Sequence, residues 1–221
     1  MTELVPRLAQ AFFTAWNGVI CFSAKPDNIV LWAHYASQHR GFVLEFDQSH
    51  RFFSASSFGE FREVDYPDTQ ARPRADDPDK LKTVSTKGIG WKDEKEFRLI
   101  LPRKELKLGR RLDGIPGHYV DLPIEAIKAI YFGCRIASER RIQLLELLQQ
   151  PKLRDIQPFQ MLPHLSDYRL DPGRWSDSTV KEKANFFSYL ECCAKAALNS
   201  PDPVTSLKAI GTDLLANRFK S

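Results

Sequence analysis

The sequence has few of the features that mark several common protein classes. Its 221 residues include only four cysteines and two methionines. The cysteines are Cys21, Cys134, Cys192 and Cys193, and no two of them have the C-x-x-C spacing of a zinc ribbon or a redox motif. The sequence therefore predicts neither a disulfide framework nor a metal site, and it fits a reducing compartment.

Long apolar runs are also missing. No segment approaches the roughly 20 apolar residues that a membrane-spanning helix needs. The N-terminus carries Pro6 and Arg7 among its apolar residues instead of the basic start and apolar run of a secretory leader. We therefore expect a cytoplasmic protein without a membrane partner. With 43% hydrophobic residues the chain can still bury a core.

Phosphate-binding glycine loops are absent. There is no G-x-x-x-x-G-K-[ST] and no G-x-G-x-x-G after a predicted strand, so the sequence predicts no P-loop or Rossmann cofactor. The net charge is only +4, and basic residues concentrate in one run, from Arg103 to Arg111. Such a run can bind the phosphates of a nucleic acid, but a solvated basic hairpin is the favoured interpretation.

Short apolar runs alternate with helical patterns, which predicts an α+β fold with a mixed, largely antiparallel sheet flanked by helices. The predicted strands are 19–23, 42–47, 61–66, 95–101, 118–122, 128–134 and 156–162. The predicted helices run through Leu4, Leu8, Phe12 and Trp16, over 29–39, over 123–127 as one turn, from a cap at Ser138 to Gln150, from the capping box Thr179-x-x-Glu182, and over 203–219.

This organisation predicts an α+β domain over residues 1–163 and a helical tail over 164–221. Between two predicted strands, residues 67–79 form a loop rich in proline and acid, which suits a lid or a linker. The helix that begins near Thr179 has an apolar stripe that must be buried on the domain or on a partner protein. Its members are Val180, Ala184, Phe187, Leu190, Ala194 and Leu198.

The segment from Lys87 to Pro102 carries the strongest candidate chemistry. Alternation along a strand places Glu94, Glu96 and Arg98 on one face, with the two carboxylates about 7 Å apart. Such a pair can bind ribose hydroxyls, stabilise a positive charge on an anomeric carbon, or act as general acid and base. The alternative is a solvated strand face on which Arg98 pairs with a neighbouring strand.

Other residues near this pair extend the candidate site. Lys87 can pair with a phosphate and Trp91 can stack on a ring, although Trp91 also suits a core position. On the predicted helix 29–39, Trp32 and Tyr35 lie on one stripe and His34 on the next, which suits binding of a planar ring. Core packing of Trp32 and a structural role for His34 are the more common alternatives.

Ser23 belongs to the same dense group of polar and aromatic residues, between Val19 and Asp47. It lacks the G-x-S-x-G setting of a nucleophilic serine, and Cys21 beside it lies in an apolar strand. The sequence therefore predicts a binding role for Ser23 and does not predict nucleophilic catalysis.

Four motifs together resemble the bacterial family catalogued as domain of unknown function 2971. They are F-S-A-K-P-D-N-I-V-L-W-A-H-Y-A-S-Q-H-R-G-F-V-L-E-F-D from Phe22, V-D-Y-P from Val64, K-G-I-G-W-K-D-E-K-E-F-R-L from Lys87 and I-K-A-I-Y-F-G from Ile127. They lie in order between about residues 19 and 135. The segment after residue 163 has no counterpart in this resemblance.

That family is in turn similar to ADP-ribosyltransferase-like folds. The likeness implies that Glu96, or else Glu94, is the late glutamate that grips NAD, with Trp32 and Tyr35 near the nicotinamide. NAD would then be a substrate, and the family's frequent association with defence or toxin genes implies a cytoplasmic effector. The family's opening motif, with an Asn-Asp-Pro turn, is missing here, which implies a non-catalytic domain as the alternative.

Two functions follow as expectations. The first is a nucleotide-binding domain with ADP-ribosyltransferase-like or NAD glycohydrolase-like activity, in which Glu96 stabilises the transition state and Arg98 or Lys87 pairs with pyrophosphate. The second is a non-catalytic regulatory module that binds a partner protein through its C-terminal helices.

Overall fold

The computed structural model describes residues 16–54, 59–68, 78–79, 81–110, 114–164 and 166–202. In these ranges the chain is α+β with three sheets, and the pairing is mostly antiparallel, which confirms the predicted fold class. The described residues form two compact units. The first contains residues within 16–30 and 45–128, and the second contains residues within 31–44 and 129–202.

The strands are short, as the brief apolar runs predict, whereas one helix near the C-terminal end is 21 residues long. The strands are β1 (Asn17–Ser23), β2 (Phe42–Phe46), β3 (Glu60–Glu63), β4 (Glu96–Pro102), β5 (Lys107–Arg110), β6 (Pro116–Tyr119), β7 (Ile127–Phe132), β8 (Gln157–Pro163) and β9 (Leu170–Arg174). The α-helices are α1 (Ile29–Tyr35), α2 (Arg51–Ser54), α3 (Ser138–Leu147) and α4 (Ser178–Leu198). Single 3₁₀ turns occupy Lys82–Val84, Arg103–Glu105 and Ile124–Ala126, and a longer 3₁₀ segment occupies Ile89–Glu94.

The first unit is built on the antiparallel sheet β1-β4-β3. Alternation gives this sheet one apolar face, where Phe22 of β1 pairs with Phe97 of β4. The ring of Phe22 meets those of Phe46, Phe53 and Phe61 edge-on, at 5.7, 5.5 and 5.9 Å between centroids. This aromatic cluster forms the core beneath the sheet and leaves the polar residues of β1 and β4 on the opposite face.

The second unit is built on the sheet β2-β7-β8-β9. Strands β7 and β8 are parallel and are joined through α3, while β8 and β9 are antiparallel. Trp32, Phe132 and Met161 are at most 1% exposed and lie in the core of this unit. Helix α4 contributes Val180 and Ala184, which are also buried, so the start of its apolar stripe is covered within the chain.

The helix predicted over 29–39 is shorter than expected, because it ends at Tyr35. Ser37, Gln38 and His39 then take left-handed backbone conformations, with φ of 50°, 55° and 67°. The amide of His39 donates to the carbonyl of Trp32 at 3.1 Å and that of Gly41 to Ala36 at 2.8 Å, so the turn uses the last carbonyls of the helix. The prediction extended the helix to His39, with Gly41 as its stop signal, and missed this turn.

Two predicted helix caps are wrong. Helix α3 begins at Ser138 with Ala137 as its N-cap and no side-chain cap hydrogen bond, so Ser138 does not cap it. Helix α4 begins one residue before Thr179, and Asp177 Oδ1 accepts the amide hydrogen of Thr179 at 2.8 Å. Asp177 therefore performs the capping that the Thr179-x-x-Glu182 pattern assigned to Thr179.

Several other boundaries also differ. The strand predicted over 61–66 is β3, which ends at Glu63, and the one predicted over 118–122 is β6, which ends at Tyr119. Strand β9 lies inside the segment predicted as a helical tail, although the division at residue 163 itself stays a prediction. The helices predicted around Leu4–Phe12 and over 203–219, most of the loop 67–79, and the side chains of Phe187, Leu190 and Ala194 lie outside the described residues.

None of the helices in the described ranges has both the length and the apolar character needed to cross a lipid bilayer.

Candidate functional site

Four charged side chains of the first unit meet on the polar side of β4. Lys87 Nζ forms ion pairs with Glu94 Oε2 and, at 3.0 Å, with Glu96 Oε2. Arg98 grips Glu96 from the other side through two contacts, Nε to Oε1 at 2.8 Å and Nη2 to Oε2 at 3.2 Å. We call Lys87, Glu94, Glu96 and Arg98 the carboxylate cluster. Its two acids and two bases balance in charge.

The carboxylate cluster is buried. Glu94 and Glu96 are each 5% exposed, so the alternative of a solvated strand face is wrong. Ionised groups lose their hydration when they are buried, and ion pairs or hydrogen bonds with protein groups must replace it. Both carboxylate oxygens of Glu96 have such partners in Arg98 and Lys87. Glu94 Oε1, by contrast, is buried and has no hydrogen-bond partner among the described residues. One carboxylate oxygen of the cluster is thus left unsatisfied.

The local backbone explains how Glu94 reaches Glu96. Glu94 ends the 3₁₀ turn Ile89–Glu94 and does not lie on the strand, so the prediction that strand alternation aligns the two acids is wrong. Lys95 then turns the chain into β4 with a left-handed φ of 46°. The two carboxylates converge across this turn, with Lys87 Nζ between them.

Two hydrogen bonds fix that turn. Ser23 Oγ donates to the carbonyl oxygen of Glu94 at 2.7 Å. The amide of Glu96 donates to Tyr66 Oη at 3.0 Å. Ser23 therefore supports the backbone of the cluster, and its hydroxyl is engaged by this bond rather than held open for a ligand.

Electrostatics keep Glu96 ionised. Burial acts to raise the pKa of Glu96, but hydrogen bonds from Arg98, Cys21 and Lys87 outweigh burial and hold the pKa at about 2. Burial likewise acts to lower the pKa of Lys87, and its bonds to Glu94 and Glu96 reverse this and raise the pKa above its usual value. At neutral pH Glu96 is therefore a fixed anion, suited to stabilising positive charge and unsuited to donating a proton.

Both cations of the cluster are already paired with carboxylates, and Arg98 Nη1 also donates to the carbonyl of Val84. Neither is therefore a ready partner for a pyrophosphate, which is the role that the sequence suggested for them. The ring of Trp91 lies 4.8 Å from Lys87 Nζ and is 47% exposed. Trp91 is not a core anchor, and its ring offers a face for stacking next to the cluster.

The remaining predicted binding residues, Trp32, His34 and Tyr35, belong to the second unit. Trp32 is 1% exposed, and its indole stacks on the imidazole of His39 with centroids 6.4 Å apart. Trp32 is therefore a core residue of that unit, which agrees with the alternative prediction of core packing. Tyr35 is 72% exposed, and His34 is exposed beside it with ring centroids 6.3 Å apart.

Two residues of the cluster's surroundings were missed from the sequence. Cys21 lies opposite Arg98 in the β1–β4 pair, on the same face as Glu96, and its thiol helps to lower the pKa of the Glu96 carboxyl. Tyr66, in the V-D-Y-P motif, accepts the Glu96 amide hydrogen. Strand alternation from Ser23 would have placed Cys21 on the polar face, but the apolar neighbours of Cys21 concealed it.

Cys21 is expected to be a slow nucleophile. Although the residue has exposed surface, burial and the hydrogen bond to Glu96 raise the pKa of its thiol from 9.0 to about 11. Only the thiolate is alkylated, but a more basic thiolate is also more nucleophilic, so its rate with iodoacetamide at pH 8 should be about tenfold below that of glutathione. Mass spectrometry of the Cys21 peptide over time measures this rate. Alkylation as fast as that of glutathione would contradict the assigned hydrogen bond, and the Glu96→Gln variant should react faster than the parent.

No group of three or more histidine, cysteine, aspartate or glutamate side chains suited to a metal ion occurs among the residues that the structure describes.

Comparison with known protein families finds a similarity over part of the chain. A family model described as "Protein of unknown function (DUF2971)" matches residues 31–99. The matched segment contains all four residues of the carboxylate cluster and Tyr66, but not Cys21 or Ser23. No curated protein and no solved structure matches the chain.

Proposed function

We propose that the first unit binds a nucleotide-containing ligand, with NAD as the candidate, and breaks the bond between its ribose and nicotinamide. The observation that carries this proposal is the buried pair of carboxylates, of which Glu94 leaves one oxygen without a hydrogen bond. A buried carboxylate oxygen with spare acceptor capacity can bind a ribose hydroxyl or a cationic carbon more strongly than a solvated one.

The reaction needs a negatively charged group near the anomeric carbon more than it needs a proton donor. As the bond from the anomeric carbon to nicotinamide breaks, its electron pair goes to the nicotinamide nitrogen and positive charge develops on the sugar. Carboxylates fixed beforehand near that carbon stabilise the charge where it appears. Water or an acceptor group then bonds to the anomeric carbon and releases its proton to solvent. Glu96, held ionised by Arg98, is suited to this electrostatic role.

Glu94 is suited to direct contact with the ligand. Its Oε2 is held by Lys87 while Oε1 has no hydrogen-bond partner among the described residues, so the carboxylate is oriented with one oxygen to spare. The exposed ring of Trp91 supplies a stacking surface beside it for adenine or nicotinamide. Glu94 thereby takes the leading contact role that was predicted for Glu96.

The test compares NAD consumption by the parent, Glu94→Gln and Glu96→Gln. Loss of one preorganised electrostatic contact lowers kcat by about 100- to 1000-fold in well-studied sites, and we expect a loss of that size for each variant. Chromatography of released nicotinamide measures turnover, and calorimetry measures NAD binding.

Glu63→Gln is the matched control, because Glu63 lies on β3 in the same unit and is exposed. It should retain the parent's rate. Circular dichroism at the assay temperature must show each variant folded. A parent chain that neither binds nor consumes NAD would refute the proposal, and so would folded Glu94→Gln and Glu96→Gln variants that turn over at the parent's rate.

A further inference from the structure

Another buried charge lies in the second unit, and no acid among the described residues pairs with it. Arg141 of α3 is 3% exposed. Its guanidinium donates to two neutral amides, through Nη1 to Gln160 Oε1 at 3.3 Å and through Nη2 to Asn185 Oδ1 at 2.9 Å. Among the described residues no carboxylate contacts it. A cation buried without a counter-ion is costly, so most such groups pair with an anion.

The orientation of Arg141 is enforced by Gln160. Gln160 is 1% exposed, and its Nε2 donates to the carbonyls of Phe132, Gly133 and Met161 at 3.2, 3.0 and 3.0 Å. Because the amide nitrogen is surrounded by acceptors, Oε1 must face the guanidinium. A guanidinium has five N–H donors, and these amides use two of them. No described residue takes the other three donors, and the position of the side chain is fixed.

A second cation shares the same aromatic neighbour. Arg141 Cζ lies 4.9 Å from the centroid of the Trp175 ring, and Lys181 Nζ lies 6.0 Å from it. Burial lowers the pKa of Arg141, as expected where no anion offsets the loss of hydration. Lys181 and Asn185 are both exposed on α4. The guanidinium therefore lies directly behind an exposed side chain of α4, that of Asn185.

We propose that Arg141 and Lys181 form a binding site for the phosphate group of a small molecule, a phosphate monoester. The planar fork of arginine matches two phosphate oxygens, and lysine adds a point charge to the same group. A phosphate monoester carries close to two negative charges at neutral pH, as a phosphorylated side chain does, and so neutralises both cations, whereas a carboxylate neutralises one. This site lies outside the carboxylate cluster and does not depend on the function proposed for it.

Titration calorimetry of the full-length chain tests this proposal, with inorganic phosphate, adenosine monophosphate and acetate as separate probes. Ionic strength is held constant with sodium chloride. We expect saturable binding of phosphate and of adenosine monophosphate, and none of acetate. Binding should be lost in Arg141→Gln and weakened about tenfold in Lys181→Gln. Lys183→Gln is the matched control, since Lys183 is exposed on the same helix, and it should bind as the parent does.

Each outcome decides the proposal. Tighter binding of adenosine monophosphate than of phosphate, or equal binding of the two, supports a phosphate site and shows whether the organic part contributes. Absence of saturable phosphate binding overturns it, and so does acetate binding as tight as that of phosphate. If Arg141→Gln fails to fold, the lysine pair decides, because equal affinities of Lys181→Gln and Lys183→Gln would refute the site.

Discussion

Replacement of Glu96 by glutamine should lower the free energy of unfolding by about 3–5 kcal/mol, because it removes one partner of a buried ion-pair network. The amide keeps the shape of the side chain but not its charge. Arg98 then faces a neutral group, and Lys87 retains Glu94 as its acid partner. Urea unfolding at pH 7 measures the loss, and Glu63→Gln should stay within about 0.5 kcal/mol of the parent, as is usual for surface positions.

The free energy of unfolding of the parent should depend on pH because of the same ion pairs of Glu96, and this dependence provides a second test of them. The pKa of Glu96 falls from the ordinary 4.5 to about 2 on folding. The contribution of ionised Glu96 to the free energy of unfolding is therefore complete above pH 4.5 and is lost as the pH falls through about 2. The shift corresponds to about 3 kcal/mol. The Glu96→Gln variant should lack this part of the acid destabilisation. Parallel stability curves for parent and variant between pH 5 and 2 would contradict the assigned ion pairs.

Replacement of Gly133 by alanine should destabilise the second unit by about 3 kcal/mol, at the upper end of the range for overpacking. A Cβ atom there would meet the His39 carbonyl oxygen at 2.1 Å and the Gly41 carbonyl oxygen at 3.0 Å. Both obstacles are backbone atoms, and His39 is held in a left-handed turn, so neither can move cheaply. Thermal and urea unfolding of the variant measure the effect.

Gly90→Ala is the control for that substitution. A Cβ at Gly90 would meet nothing within 4 Å, and its φ is not positive. This substitution should be neutral or slightly stabilising, since alanine restricts the unfolded chain. If Gly133→Ala were as stable as Gly90→Ala, the close approach of the His39 carbonyl to Gly133 would be wrong.

The sequence predicted the elements whose signals are local. Strands β1, β2, β4 and β7 each follow a short apolar run between turn residues, and their observed limits differ from the predicted ones by at most two residues. The end of α1 was missed because non-glycine residues in left-handed conformations leave no compositional signal. Strand β9 was missed because its sequence, L-D-P-G-R, reads as a turn. Pairing with β8 overrides that propensity.

The sequence predicted which charged residues form the carboxylate cluster but not all of the contacts that they make. Spacing within one segment identified Lys87, Glu94, Glu96 and Arg98. The contact of Cys21 with Glu96 depends on the register between β1 and β4, which are far apart in sequence. The burial of Arg141 was equally hidden, because α3 is a polar helix by composition and nothing local marks one of its three consecutive charged residues as a core residue.

The two units are interleaved along the chain, and this has a consequence for biosynthesis. Residues 31–44 belong to the second unit but leave the ribosome well before its other part, which begins at residue 129. The first unit can therefore complete its contacts during translation. Trp32 and the left-handed turn can pack only after the later strands of the second unit have been synthesised. A truncation that removed residues 1–128 would take away Trp32 and the rest of segment 31–44, so the second unit is expected to fold only as part of the longer chain.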